Sequence, residues 1–133
     1  MLTRRQLRNN NFFEIAQVVS DMSTCLRAKH GAVIVNPDNR IVCTGYNGSL
    51  PGEDHCIDVG CDIAFVQRDG DTEPRPHCMR TIHAERNALT QAAKYGIPVN
   101  GCRIYVTGKP CRECEKHLLA AGVSIVDGGD RWR

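Results

Sequence analysis

Apolar and polar residues in the first third of the chain recur with the periods of one helix and one hairpin. A helix is predicted from Asn11 to about Thr24, where apolar side chains fall at helical spacing: Phe12, Ile15, Val18, Val19 and Met22. Residues 30–48 then hold two apolar runs around the polar turn at residues 37–40. Apolar runs joined by such a turn are typical of a β-hairpin.

The second half of the chain alternates helical and strand patterns. Amphipathic helices are predicted over residues 82–95, ended by Gly96, and over residues 111–122, with Gly122 as the C-terminal stop. Short strands are predicted over residues 103–107 and 123–126. This order predicts a single α/β domain over residues 1–133, with a mixed sheet flanked by helices.

Residues 48–76 show neither the helical nor the strand spacing of apolar residues. The segment is rich in glycine, proline, aspartate and cysteine, and we interpret it as a long loop. Loops of that length are uncommon in compact domains unless a function or a metal ion holds them.

The overall composition is that of an ordinary globular domain, with 133 residues, 41% hydrophobic and 24% charged. The formal net charge of +2 is too small to indicate a nucleic-acid partner on electrostatic grounds alone. No apolar run approaches the roughly 20 residues that span a bilayer, so no membrane association is expected. The basic N-terminus is followed by no apolar segment of the secretory type, so we expect a cytoplasmic protein.

Cysteine is unusually frequent for such a chain. A reducing compartment disfavours a disulfide framework, and clustered cysteine and histidine then usually indicate metal binding. The cysteines are Cys25, Cys43, Cys56, Cys61, Cys78, Cys102, Cys111 and Cys114. Cys43 lies within a predicted strand and Cys102 just before one, so both are interpreted as small buried apolar residues.

One histidine and two cysteines lie at the predicted starts of two helices. Cys111 and Cys114 are three residues apart behind Pro110, which places both thiols on one face of a first turn. Together with His83 they supply three zinc ligands, and three protein ligands are typical of catalytic zinc, whose fourth position stays open to water. Glu85, two residues after His83, is then the natural proton carrier. The alternative is a closed structural site with a passive Glu85, but such sites use four protein ligands.

The spacing H-x-E…P-C-x-x-C is the signature of zinc deaminases. From about Ser23 to Val126 the chain resembles the deoxycytidylate (dCMP) deaminases of the cytidine deaminase-like superfamily. The stretches that carry the resemblance are "STCLRAKHGAVIV", "GYNGSLPG", "HCIDVGC", "HCMRTIHAERNAL" and "IYVTGKPCREC". The resemblance implies a three-layer α/β/α sandwich around a mixed sheet. Family members commonly continue through another helix and strand, so the last layer is expected to be shortened, altered or supplied by a neighbour.

The resemblance also implies the reaction and the site. His83, Cys111 and Cys114 would bind Zn²⁺, and Glu85 would shuttle protons while water replaces the amine of dCMP, giving dUMP and ammonia. Asn47 and Ala84 would contact the substrate, and Asn47 has an alternative role in making the turn after the hairpin. Candidate phosphate contacts are Arg27, Lys29 and Arg80, each of which is alternatively a solvated surface charge.

A second, structural zinc is expected in the cysteine-rich segment, as in many members of the resembled family. Its predicted ligands are Cys56, Cys61 and Cys78, with Cys25 or His77 as the fourth and His55 as a further candidate. The alternative is a set of free thiols.

Regulation and assembly are expected from the resemblance alone. Tyr46 and Gly48 would bind dCTP or dTTP as effectors, and the chain would form a homo-oligomer, a hexamer by resemblance. Two other functions stay open: a different deaminase of the superfamily, acting on tRNA adenosine, a free base or a 5-substituted cytosine nucleotide, and a non-catalytic zinc-binding module.

Overall fold

The computed structural model describes residues 1–132, which form one mixed α/β unit. The helices are α1 (Arg4–Ser20), α2 (Cys56–Val59), α3 (Ala84–Tyr95) and α4 (Arg112–Ala120), with a final 3-10 helix at Gly129–Trp132. The strands are β1 (Gly31–Val35), β2 (Ile41–Tyr46), β3 (Ile63–Val66), β4 (Arg75–Cys78), β5 (Arg103–Val106) and β6 (Ser124–Ile125). Within these residues, no helix combines the length and the apolar character that crossing a bilayer requires.

The central sheet has the strand order β2-β1-β5-β6. Strand β1 pairs antiparallel with both β2 and β5, whereas β5 and β6 are parallel, so the sheet is mixed. Helix α1 covers one face, where Phe13 and Ala16 pack with Val33, Val35 and Tyr105. Helices α3 and α4 cover the other face. The predicted three-layer sandwich around a mixed sheet is thereby confirmed.

Strand β1 is the centre of the core, because all five of its residues are buried. Alternate side chains point to opposite faces of a strand, so Ala32 and Ile34 face α3 while Val33 and Val35 face α1. Strands buried on both faces read as continuous apolar runs, which is why "GAVIV" stands out in the sequence.

Helix α1 differs from the prediction in both its bounds and its buried face. It begins at Arg4, behind a capping box made by Thr3 and Gln6, and ends at Ser20. Its buried residues are Phe13, Ala16 and Ser20, whereas Val18 and Met22 are largely exposed. The small residues face the sheet because Gly31 approaches the helix backbone so closely that a Cβ there would lie 2.6 Å from the Ser20 nitrogen.

The prediction of a loop without regular structure over residues 48–76 is wrong. The segment contains the short helix α2, and β3 and β4 form a separate antiparallel hairpin with Ile63 opposite Cys78 and Val66 opposite Arg75. The hairpin strands are only four residues long and contain Pro76, so their pattern was too weak to see beside the many turn residues.

Gly45 sets the distance between β2 and α3. A Cβ at this position would lie 2.2 Å from the carbonyl oxygen of Ala84 and 2.5 Å from the nitrogen of Ala88. Gly45→Ala should therefore lower the free energy of unfolding by about 1–3 kcal/mol, the usual cost of overpacking, measured by urea denaturation. Ala93→Ser, on the exposed face of α3, serves as the control and should change it by less than about 0.5 kcal/mol. A Gly45→Ala protein as stable as the wild type would contradict the close packing.

Candidate active site

The two helices α3 and α4 begin side by side, each with a prospective metal ligand as its N-cap. His83 caps α3 and Cys111 caps α4. The Cys111 thiol accepts the backbone N–H of Cys114 at 3.5 Å, which satisfies one of the free donors at the start of that helix. The His83 side chain makes no such capping bond, since its imidazole is turned toward the thiols.

One ligand atom from each of His83, Glu85, Cys111 and Cys114 lies within 4.8 Å of the others. The His83 Nδ1 atom is 3.3 Å from the Cys114 sulfur and 3.7 Å from the Cys111 sulfur. The Glu85 carboxylate lies 3.9 Å from the same nitrogen and is almost fully buried, with 5% of the residue exposed. The His83–Glu85 half of the predicted motif and the Cys111–Cys114 half therefore lie next to each other in the structure.

The Cys111 and Cys114 thiols shift each other's pKa in opposite directions. The hydrogen bond from Cys114 lowers the pKa of Cys111 to about 3, despite the opposing effect of burial, and His83 lowers it further. The same hydrogen bond raises the pKa of Cys114, and burial and the nearby Glu85 add to the increase. One imidazole and two closely spaced cysteine sulfurs form a donor set that suits Zn²⁺, so these residues fit a zinc ion.

A cavity of about 220 Å³ opens above the cluster. Its lining combines apolar residues such as Ala28 and Val106 with polar ones such as His30 and Asn47, which suits a flat ring with a polar edge. The lining residues are Ala28, His30, Asn47, His83, Glu85, Val106, Gly108, Lys109 and Cys111.

Asn47 supplies the cap that His83 cannot give. Its side-chain oxygen accepts the backbone N–H of Ala84, the first residue of α3, at 3.1 Å. Its own backbone carbonyl accepts the hydroxyl of Ser23 at 2.7 Å. Because the oxygen is engaged, the NH₂ group of Asn47 is the part left to contact a ligand in the cavity.

Residues 7–127 match the family model of the cytidine and deoxycytidylate deaminase zinc-binding region. The chain belongs to this family.

Relatives and solved structures agree with that membership. ComE operon protein 2 of Bacillus subtilis is 42% identical over 118 residues, covering 89% of this chain and 57% of that protein. Deoxycytidylate deaminase of enterobacteria phage T4 is 30% identical over 145 aligned positions, covering 88% of this chain and 75% of the phage protein. The dCMP deaminase from the cyanophage S-TIM5, solved in complex with dCMP and dUMP, has the same fold: the TM-score is 0.68 at 24% identity, covering 98% of this chain and 90% of that chain. The chain therefore spans little more than half the length of the Bacillus relative.

Five of the residues that line the cavity were not predicted from the sequence: Ala28, His30, Val106, Gly108 and Lys109. His30 lies flat against Gly108, where a Cβ would be 2.5 Å from its ring, and its Nδ1 is 3.1 Å from the hydroxyl of Thr107. Lys109 lines the same cavity. A signal for Gly108 and Lys109 was available, because they directly precede the Pro110-Cys111 motif, but nothing in the sequence pairs His30 with that segment.

The other residues predicted to contact substrate or effector lie in different parts of the structure. Arg27 is exposed next to the cavity residue Ala28, whereas the Arg80 guanidinium is 3.3 Å from the carbonyl oxygen of Gly60. Tyr46 packs its ring near Gly48, whose carbonyl accepts the backbone N–H of Ile82 at 2.9 Å. The proposed effector residues therefore touch the segment that leads into α3.

The second predicted metal group is a cluster of three cysteines. The ligand atoms of Cys56, Cys61 and Cys78 lie within 4.8 Å of one another, with 3.6 Å between the Cys56 and Cys78 sulfurs. Burial acts to raise the pKa of Cys78, but hydrogen bonds from the backbone and from Cys56 outweigh it and bring the pKa to about 7. Cys25 and His77 lie outside this cluster.

His55, the further candidate for this group, has its Nδ1 2.9 Å from the Thr24 hydroxyl. Within residues 1–132, the cysteine cluster thus holds three of the predicted ligands and not a fourth.

Loss of the Asn47 side chain should weaken the entry into α3. Asn47→Ala leaves the buried N–H of Ala84 without a partner, so the free energy of unfolding should fall by about 1–3 kcal/mol in urea denaturation. Asn47→Asp keeps an acceptor oxygen and should lose less. The control Asn11→Ala, on the exposed face of α1, should stay within about 0.5 kcal/mol of the wild type. Equal stability of Asn47→Ala and the control would refute the capping role.

Proposed function

We propose that this chain is a zinc-dependent deaminase that hydrolyses dCMP to dUMP and ammonia. The observation that carries the proposal is the buried Glu85 carboxylate, 3.9 Å from the imidazole of the three-residue donor set, at the base of a cavity. The names of the phage T4 relative and of the S-TIM5 structure support dCMP as the substrate. A three-ligand donor set next to a carboxylate is also the arrangement that hydrolytic metal catalysis uses.

His83, Cys111 and Cys114 are the residues that would hold the zinc. When bound, zinc lowers the pKa of a coordinated water and so supplies a nucleophile at neutral pH. The N-terminus of α4 contributes as well, because its positive end favours the thiolate form of Cys111.

Glu85 moves the protons. The reaction adds water across the C4–N3 bond of the cytosine ring and expels ammonia. The carboxylate can accept one proton from water and pass it to N3, and then accept the second proton from the hydroxyl on C4 and pass it to the leaving nitrogen, which restores the carboxylate. Its burial excludes bulk water, which keeps the transferred proton in the site.

Asn47 and Ala84 orient the nucleotide. The free NH₂ group of Asn47 can donate to a sugar hydroxyl, and its fixed oxygen holds the first turn of α3 against the cavity. Substrate contact and helix capping are therefore two uses of one side chain.

The cysteine cluster is the proposed structural zinc site, with Cys56, Cys61 and Cys78 as ligands. Cys25 is the preferred fourth ligand, since it is buried and its sulfur is 4.0 Å from Thr81, three residues beyond Cys78. A zinc ion there would tie α2 to the end of β4 and so stabilise a segment that has little core of its own.

Effector binding and assembly complete the proposal. Binding of dCTP or dTTP at Tyr46 and Gly48 would act on the site through the Gly48–Ile82 backbone contact and through Asn47. We propose a homo-oligomer in the cytoplasm, and sedimentation of the zinc-loaded chain with and without each nucleotide measures its size.

Glu85→Gln removes the proton carrier while preserving its shape. The variant should release ammonia from dCMP about 10²–10⁴-fold more slowly than wild type, measured by a coupled ammonia assay. Its zinc content should be unchanged, because the predicted metal ligands are other residues. Glu14→Gln, an exposed position in α1, is the control and should keep full activity. Wild-type rates in Glu85→Gln would eliminate the proposed mechanism.

Metal analysis tests the number of zinc ions. The zinc-loaded wild-type chain should contain about two ions by mass spectrometry, and Cys56→Ser should contain about one. Cys111→Ser should lose the other ion together with the activity, while Cys102→Ala should keep both ions. The structural zinc site would be contradicted if the wild type contained one ion and Cys56→Ser contained the same number.

A further inference from the structure

One end of the central sheet carries a cluster of arginines. They come from three separate parts of the chain: the first two turns of α1, the turn before β2 and the first residue of β5. We call this group the arginine patch, and its members are Arg4, Arg5, Arg8, Arg40 and Arg103. Strand β1 begins next to His30 of the candidate active site and ends beside the patch, so the two surfaces lie at opposite ends of that strand.

Asn39 brings two of these arginines together. Its side-chain oxygen accepts a hydrogen bond from Arg8 Nη1 at 3.1 Å and another from Arg103 Nη2 at 2.6 Å. The Arg103 side chain is held in this position, because its Nε donates to the Tyr105 hydroxyl at 2.8 Å and its guanidinium lies 5.8 Å from the centre of the Phe12 ring. Two guanidinium groups therefore converge on one neutral oxygen, an arrangement that an anionic oxygen beside it would fit better.

Carboxylates do not neutralise the patch. Within residues 1–132, no ion pair joins any of the five arginines to an acidic side chain. Even when Asp38 of the β1–β2 turn is counted, the patch carries a formal charge of +4, whereas the whole chain carries +2. The small net charge, which gave no indication of a nucleic-acid partner, therefore conceals a local excess of positive charge of the kind that binds phosphates.

The arginines of α1 stand where they lower the stability of the helix. The N-terminus of a helix is the positive end of its dipole, where acidic residues stabilise and basic residues destabilise. The first turn of α1 contains no acid but does contain Arg4 and Arg5, and Arg8 repeats the charge of Arg4 four residues on, on the same face. The backbone N–H groups are served by the Thr3 capping box, so the side chains are the free groups. An arrangement that works against folding indicates a use outside folding.

The neutral residues of this surface indicate what kind of anion it would bind. Residues 9–11, which follow the arginines of α1, are three asparagines, and Asn9 accepts the Tyr105 hydroxyl with its oxygen, which leaves its NH₂ group as a donor. Phe12 is only partly buried and lies against Arg103. Guanidinium groups, amides and an accessible aromatic ring are the groups that bind single-stranded nucleic acids. A membrane surface would instead favour an apolar face at residues 9–11.

We propose that the arginine patch binds the phosphate backbone of single-stranded nucleic acid. The proposal is independent of the proposed deamination, because the patch shares no residue with the candidate active-site cavity. A phosphate between Arg8 and Arg103 would accept hydrogen bonds from both, and the exposed Arg4, Arg5 and Arg40 would contact neighbouring phosphates. Binding would not depend on base sequence, since phosphate contacts carry no sequence information.

Fluorescence anisotropy with a labelled oligothymidylate of about 12 nucleotides tests the proposal on the full chain. The wild type should bind, and the logarithm of its affinity should fall linearly with the logarithm of the salt concentration. The double variant Arg8→Gln/Arg103→Gln should bind about 10- to 100-fold more weakly at about 50 mM salt, and its salt slope should be smaller by about 0.7 for each lost contact. Because Arg103 also contacts Tyr105, the exposed pair Arg4→Gln/Arg40→Gln provides a second variant, with the same expected loss, that leaves those contacts intact.

Arg75→Gln/Lys94→Gln is the matched control, since it removes two exposed cations from β4 and α3, and its affinity should stay within about twofold of the wild type. Saturating dUMP should not displace the oligonucleotide, because the cavity lies at the other end of β1. The proposal would be overturned if the wild type did not bind, if the control lost as much affinity as the patch variants, or if dUMP displaced the strand. Binding to phosphatidylserine vesicles but not to the oligonucleotide would overturn it in favour of a membrane surface.

Discussion

The orientation of one imidazole governs the site. His83 stands at the start of α3, where a side chain normally bonds to its own helix, but its ring faces the thiols of α4 instead. Because of this orientation His83 does not cap the first backbone N–H of α3, and Asn47, just after β2, accepts that N–H instead. The donor cluster, the helix start and the hairpin β1–β2 are therefore coupled through two side chains, and a change at any of the three reaches the others.

The half of the molecule that carries the His83 and Cys111 motifs was predictable because its information is local. The motif around His83 and the motif around Cys111 each span a few residues, and helix-start chemistry assigns each of them to the first turn of a helix without knowledge of the fold. The strand β1 was also predictable, because its sequence is a continuous apolar run. The sequence-based prediction of a three-layer sandwich around a mixed sheet needed only the order of these elements.

Features that depend on contacts between distant segments were not predictable. The apolar residues of α1 indicated the wrong face, because the approach of Gly31 requires Ala16 and Ser20 toward the sheet. The β3–β4 hairpin was hidden by its short strands, and with it the opposite orientations of His77 and Cys78. His77 was predicted as one of two alternatives for the fourth ligand of the structural zinc, from the family resemblance and the cysteine-rich segment, and neither of these gives the direction of the side chain.

Gly45 also limits how the protein can be redesigned. The sheet and α3 touch there through backbone atoms, so β2 cannot lie closer to the helix that carries Glu85, and any side chain added at Gly45 would strain the contact. An engineer who wishes to admit a purine ring must enlarge the opposite wall, where Ala28 and Val106 line the cavity. Replacing Val106 by a smaller residue is then the first change to try, while Gly45 keeps the Glu85 carboxylate at its present depth in the cavity.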